Sequence, residues 1–207
     1  MSMSLADLYF AGGWVMHVIS VLSLAALYIF VERFLVIRKA TRADMNFMNR
    51  IKDYMYEGKV DAALQLCRST NSPHARMVEK GITRLGRPLG DVSTAIENVG
   101  KMEIYKLEKS FPTLATIAGA APLLGFFGTV IGMVQAFYEM SQAGNSLDIS
   151  TLSGGIYVAL LTTVWGLIVS IISYFAYNYL VVRVENVVFR LQATSEEFMD
   201  ILNEPVK

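Results

Sequence analysis

A single cysteine, Cys67, stands among 207 residues, so the chain has no internal disulfide and no thiolate pair spaced for zinc. Neither histidine has a second ligand three or four residues on: His74 is expected at the surface, and His17 as a hydrogen-bonded residue near one end of a helix. There is no Ser/His/Asp set, HExxH, P-loop or paired carboxylate at membrane depth, and an enzyme is not expected. Formal net charge is zero, which gives no reason to expect nucleic acid as a partner. Residues 1–13 hold no Lys or Arg, so the first apolar run lacks the basic flank of a cleavable signal. The most informative absence is of charge in the chain's three longest runs: Trp14 to Val31, Phe111 to Tyr138 and Ile149 to Val182 contain no Asp, Glu, Lys or Arg.

A helix needs about 20 residues to cross hydrocarbon, and each run is long enough, the third with its apolar part from about Ile156. With 54% hydrophobic residues and a mean hydropathy of +0.42, a chain of this size could hardly bury three helices apolar on every face. The expectation is an all-α integral membrane protein, one domain over 1–207, with transmembrane helices at about 14–31, 111–138 and 156–182. Fifteen of the eighteen Lys and Arg residues fall in 32–110 and three in 183–207, with none in 1–13 or 139–155. Positive charge stays on the cytoplasmic side. The amino terminus is therefore expected outside, 139–155 as a short outer loop, and 32–110 with 183–207 as a cytoplasmic helical region. Tyr9, Phe10 and Trp14 suit the outer interface.

Below the membrane, Glu32 to Lys39 continues the helical spacing of the first span, with Arg33 and Arg38 able to reach the headgroups. Glu32 reads as the ion-pair partner of a neighbouring Arg, with a part in conduction as the alternative. Residues 44–70 are amphipathic, with Met45, Met48, Ile51 and Met55, then Val60, Ala63, Leu64 and Cys67, broken by a turn at Gly58. Cys67 reads as a small buried residue. A short helix from His74 to Leu85 is expected to end at Gly86-Arg87-Pro88. Asp91 or Ser93 then caps a helix whose apolar set is Ala95, Ile96, Val99, Met102, Ile104 and Leu107, running toward the second span with Pro112 near its entry. The tail carries Val184, Val187, Val188, Leu191, Phe198, Ile201 and Leu202 as an amphipathic continuation of the third span. Two of the three spans thus extend into the helical region.

Within the second span, Ala118, Ala121, Gly125, Gly128, Gly132 and Ala136 recur at three- and four-residue steps, and Ala159, Thr162, Thr163, Gly166, Ser170 and Ser173 do so in the third. Small side chains let helix backbones approach where lipid offers no hydrophobic gain, so a close antiparallel hairpin is expected. Pro122 cannot donate to the Ala118 carbonyl. Thr129 lies nine residues before Tyr138 and Thr163 seven after Ile156, which at about 1.5 Å per residue puts both roughly 10–14 Å from the outer edge. Two readings of these hydroxyls stay open: each bonds its own helix backbone, or they face an ion path. No span carries an Asp, Glu, Lys or Arg, and the second and third carry no His either, so the group that holds and releases the proton at mid-membrane would have to come from a partner.

The run Ala121-Pro122-Leu123-Leu124-Gly125-Phe126-Phe127-Gly128-Thr129-Val130-Ile131-Gly132-Met133, followed by Phe137, resembles the second-span motif of the MotA/TolQ/ExbB proton-channel family. Ala159-Leu160-Leu161-Thr162-Thr163-Val164-Trp165-Gly166-Leu167, Tyr177-Asn178 and the Glu32-Arg33 step are similar too. The resemblance is to the ExbB and TolQ branches rather than to the four-span flagellar proteins. It implies a homopentamer in a bacterial inner membrane, in contact with lipid, around two copies of a single-span ExbD/TolR-like partner whose membrane Asp carries the proton. It also implies a TonB- or TolA-like protein as recipient of the work, protons as the transported ion, and no cofactor. Thr129, Thr163 and the adjacent Thr162 match the family's ion-pathway threonines. Ala118, Ala121, Pro122, Gly125, Gly128, Gly132, Ala159, Gly166 and Ser170 form the pore-lining or packing faces, and Glu32 with Arg33 the interface charges. Val158 stands where many relatives carry Glu, and Ile172 where Pro is common. Two functions of different class follow: a proton-channel subunit that turns proton motive force into work for TonB-dependent or Tol-type transport, or a non-conducting membrane scaffold. A solute transporter fits poorly, since three spans without symmetry or intramembrane charge offer no binding site.

Overall fold

A computed structural model describes residues 12–41, 46–142 and 149–203, and all regular structure among them is helical. Among the described residues seven helices follow in order: α1 (Gly13–Thr41), α2 (Phe47–Tyr56), α3 (Val60–Ser69), α4 (Pro73–Ile82), α5 (Leu89–Glu108), α6 (Phe111–Gln142) and α7 (Ile149–Asn203). Three helices are long and apolar enough to cross a membrane, and they contain the three uncharged runs. Tyr9, Phe10, Met45 and residues 143–148 of the expected outer loop lie outside the described residues. The helices on either side of that loop run past the apolar segments, α6 to Gln142 and α7 from Ile149. Glu139, Met140 and Gln142 are good helix formers, so helix persists where apolarity has ended.

The chain divides into two compact units. The first comprises residues 1–31 and 110–179. Its interior is made by Met16, Ile19 and Ala26 of α1, Leu114, Ile117 and Ala121 of α6, and Ala159, Thr162 and Val169 of α7. Its outside is equally apolar: Leu24, Tyr28, Leu123, Phe126, Ile172 and Phe175 are each 64–70% exposed. Water would not tolerate so large a surface, whereas lipid or neighbouring helices would. Edge-on ring contacts tie the three helices, Trp14 to Phe127 at 6.4 Å and Phe111 to Tyr177 at 6.0 Å between centroids.

The second unit comprises residues 32–109 and 180–207. Along α7, Leu180, Val184, Val187, Leu191, Thr194, Phe198 and Ile201 are buried, at alternating steps of four and three. That is the spacing of a coiled-coil seam. Ile37 of α1, Phe47 and Ile51 of α2, Ala63 and Cys67 of α3, Met77 and Val78 of α4, and Val92 and Ile96 of α5 complete this core. Gly58, at φ +70°, makes the turn between α2 and α3, and Gly86, at φ +84°, the turn after α4. The Ser72 hydroxyl accepts from the Ala75 N–H to cap α4, and Pro73 opens it.

Several expectations for this unit need correction. His74 is buried, 5% exposed, rather than at the surface. The Thr194 hydroxyl donates its one proton to the Arg190 carbonyl at 2.9 Å, so its oxygen accepts from His74 Nδ1–H, also at 2.9 Å. Burial, and secondly the charge of Arg190, push His74 below its ordinary value of 6.5. Helix α5 starts at Leu89 with Pro88 before it, so Asp91 lies in the first turn and neither Asp91 nor Ser93 is the cap. Its buried face is Val92, Ile96, Gly100, Glu103 and Leu107, while Met102 is 61% exposed. The run toward the second span is nearly continuous: Lys109 keeps helical angles, and only a two-residue turn separates α5 from α6. Pro112 has no N–H for the Glu108 carbonyl, and the helical ladder lapses at Lys109 and Ser110.

Glu103 takes a core position because two cations reach it: Arg76 Nη2 at 2.5 Å and Lys106 Nζ at 2.7 Å. Burial works to raise its carboxyl, but the hydrogen bonds and charges of Arg76 and Lys106 outweigh burial and hold it below the ordinary 4.5. A carboxylate with a depressed folded value stabilises the fold above its unfolded value, and that stability is lost as pH falls through the folded one. The thermal midpoint of the purified chain should therefore fall from about pH 5 downward, and the fall should be smaller in Glu103→Gln. An identical acid-side fall in both proteins would show that Glu103 contributes nothing to it.

Candidate functional site

The α6–α7 hairpin is the site's frame. The contacts run in antiparallel register: Gly155 against Ala136, Ala159 against Gly132, Thr162 against Gly128, Gly166 against Gly125 and Ala121. A methyl added at Gly166 would lie 2.6 Å from the Ala121 carbonyl oxygen and 3.0 Å from Gly125 Cα. One added at Gly125 would lie 2.8 Å from the Thr162 carbonyl oxygen. Backbone meets backbone here, as the small-residue stripes require.

That proximity places hydroxyls of α7 on carbonyls of α6. Thr162 Oγ1 shares its proton between its own Ala159 carbonyl at 2.8 Å and the Gly125 carbonyl at 3.1 Å. Thr163 Oγ1 donates to the same Gly125 carbonyl at 3.2 Å. Thr162 is 2% exposed, and Thr163 is half-buried. Thr129, also half-buried, turns its hydroxyl to the Phe126 carbonyl of its own helix at 2.6 Å. It follows Gly128, which faces Thr162, so the three hydroxyls lie within about one helical turn, roughly 5 Å, along the hairpin. Thr129 thus bonds its own helix, whereas Thr163 bonds across to α6. Such hydroxyls can accept from and donate to water or a visiting acid, but none can hold a charge.

One turn further along, Pro122 sits inside α6 and leaves the Ala118 carbonyl without its helical donor. Ser170 Oγ takes that place at 2.6 Å. Removing it should leave a carbonyl unsatisfied, a cost of about 1–3 kcal/mol. Ser170→Ala should therefore destabilise the chain on its own but be nearly neutral beside Pro122→Ala, which restores the backbone N–H. Equal losses in both backgrounds, read as thermal midpoints in detergent, would contradict this pairing.

At the end of the first span, Glu32 pairs with Arg33, whose Nε donates to Glu32 Oε2 at 2.8 Å. Arg33 is 8% exposed, and its Nη1 donates to the Lys106 carbonyl at 2.9 Å. It is therefore held by protein rather than reaching for headgroups. Lys106 joins this pair to Glu103 and Arg76, a network whose buried acid the sequence pattern did not single out. Among the described residues no group of three or more His, Cys, Asp or Glu is placed to hold a metal.

Three spans, a hairpin of small residues and hydroxyls on its facing carbonyls define a multi-pass helical membrane protein. Residues 69–193 match the MotA/TolQ/ExbB proton channel family, and the chain belongs to that family. A biopolymer transport protein ExbB homolog of Methanothermobacter thermautotrophicus is 27% identical over 187 residues, covering 90% of this chain and 66% of that protein. The Tol-Pal system protein TolQ of Pseudomonas aeruginosa is 34% identical over 115 residues, 56% of this chain and 49% of its own length. The biopolymer transport protein ExbB of Aquifex aeolicus is 38% identical over 94 residues, 44% of this chain and 63% of its own. The chain thus spans between about half and two-thirds of these relatives. The likeness is to the ExbB and TolQ branches, a transport and channel family rather than an enzyme family, and with the three apolar helices it places the protein in the inner membrane.

Proposed function

We propose that this chain is a proton-channel subunit of the ExbB/TolQ type, acting in a system that energises transport across the envelope. It assembles as a homopentamer around two copies of a single-span, ExbD/TolR-like partner, and proton flow through the complex drives work on a TonB- or TolA-like protein. The observation that carries this reading is the pairing of Thr162 and Thr163 on the Gly125 carbonyl within runs that hold no titratable acid or base. The hairpin supplies polar groups at depth, and the partner's membrane carboxylate supplies the charge that moves. Thr129 and Thr163 line that path, with Thr162 buried behind them against Gly128, while Ala118, Ala121, Gly125, Gly128, Gly132, Ala159 and Gly166 give the hairpin its close-packed form.

The test is proton flux into vesicles that carry a pH-sensitive dye. The chain with its single-span partner should conduct, the chain alone should not, and replacement of the partner's membrane Asp by Asn should stop the flux. Flux unaffected by that replacement would overturn the reading. A second reading, a non-conducting scaffold, draws support from the same geometry, because every threonine hydroxyl here already has a backbone acceptor. It expects a stable assembly and no flux in any arm.

A further inference from the structure

Two unlike surfaces lie back to back on α5. One is a groove of about 690 Å³ between α5 and the C-terminal part of α7. Ile104, Leu191 and Met199 give it an apolar lining, and Glu97, Glu196 and Asp200 line it with three acids against the single cation Lys101. The other surface, on α4 and α5, is lined by Lys80, Arg84, Val99 and Met102, with Asp91 its one acid. Met102 is 61% exposed and its neighbour Tyr105 74%, large side chains on the face of α5 turned away from its buried residues Val92, Ile96, Gly100, Glu103 and Leu107. At 3.6 residues per turn, Glu97, Gly100 and Ile104 face one side of α5 and Ala95, Asn98 and Met102 the other.

We propose that the acid-lined groove receives the basic, Met102-bearing face of a second copy of this chain. The inference rests on the homo-oligomeric reading above and adds which surfaces meet. The chain itself carries the complement of its groove in both charge and apolarity, which is the argument for a second copy over a foreign peptide. Because groove and complement point away from each other on one helix, they cannot meet within a chain. Nor do they form a twofold contact, which needs the same patch on both partners. The contact is head-to-tail, the kind that builds a ring when its rotation closes.

The test is thiol cross-linking of the full chain in native membranes, with Met102→Cys and Met199→Cys alone and together. Cys67 stays in place, since it is 2% exposed and burial pushes its thiol up to about 12. A short bifunctional thiol reagent should leave each single variant unlinked and join the double variant into a ladder of multimers. Dimers from a single variant, or no ladder from a double variant that native mass spectrometry finds oligomeric, would overturn the surface assignment while leaving the oligomer standing. A monomeric wild-type chain would overturn the oligomeric reading itself. Charge exchange gives an independent arm. Arg84→Glu and Glu196→Arg should each reduce the oligomer severalfold, and the two together in one chain should restore it. Failure to restore it would also overturn the assignment.

Discussion

Gly166→Ala is expected to break the α6–α7 hairpin and, with it, the whole assembly. The added methyl would meet the Ala121 carbonyl oxygen at 2.6 Å and Gly125 Cα at 3.0 Å, both backbone atoms that cannot rotate away. Overpacking of this kind costs about 1–3 kcal/mol, because the helices must separate or tilt along their length. Separation would also stretch the Thr162 and Thr163 bonds to Gly125, already 3.1 and 3.2 Å, beyond useful range. Gly125→Ala should behave alike, since its methyl meets the Thr162 carbonyl oxygen at 2.8 Å. Gly119→Ala is the control: it lies in the same helix, and an added Cβ meets nothing within 4 Å. Thermal midpoints and size-exclusion profiles of detergent-purified protein should separate the two classes clearly. If Gly166→Ala melts and assembles like Gly119→Ala, the hairpin is not packed backbone to backbone.

Thr163→Val should leave assembly intact and reduce proton-driven work roughly tenfold or more. The substitution keeps shape and removes one hydroxyl. Thr162 still holds the Gly125 carbonyl, so no buried acceptor is orphaned. A hydrogen bond to the moving proton's carrier is worth about 1–1.5 kcal/mol net, and 1.36 kcal/mol is tenfold in rate. Thr163→Ser, which keeps the hydroxyl, should retain most activity. Thr162→Val should act differently: its side chain is buried against Gly128, so the loss is expected in thermal stability before flux. Wild-type flux in Thr163→Val would assign that hydroxyl to packing and favour the scaffold.

What the residues made legible was governed by periodicity and by the absence of charge. The three spans, the small-residue stripes and the turns at Gly58 and Gly86 each follow from a local rule, and each has its counterpart in the fold. Pro122 is legible further still, since the carbonyl it frees, that of Ala118, is the one that Ser170 satisfies. Harder to read was anything set by register between helices. Periodicity within α6 cannot say which α7 hydroxyl faces Gly125, so Thr129 and Thr163 looked equivalent, yet one bonds its own helix and the other its neighbour. Buried polar groups were missed for a related reason. Glu103 and His74 violate the pattern that assigns charge and imidazole to the surface, and only partners distant in sequence, Arg76 and Thr194, make their burial tolerable. The alternating four-and-three spacing from Leu180 to Ile201, with Thr194 on the seam, was the available signal for the second of these.

The central claim is that this chain frames a proton path whose charge carrier belongs to another protein. Native mass spectrometry of the complex, purified from membranes with the products of neighbouring genes co-expressed, tests it most directly. The account predicts five copies of this chain with a single-span protein that carries an Asp in its apolar segment. A homo-oligomer that binds no such protein would leave the hairpin without a group to move a proton and would contradict it.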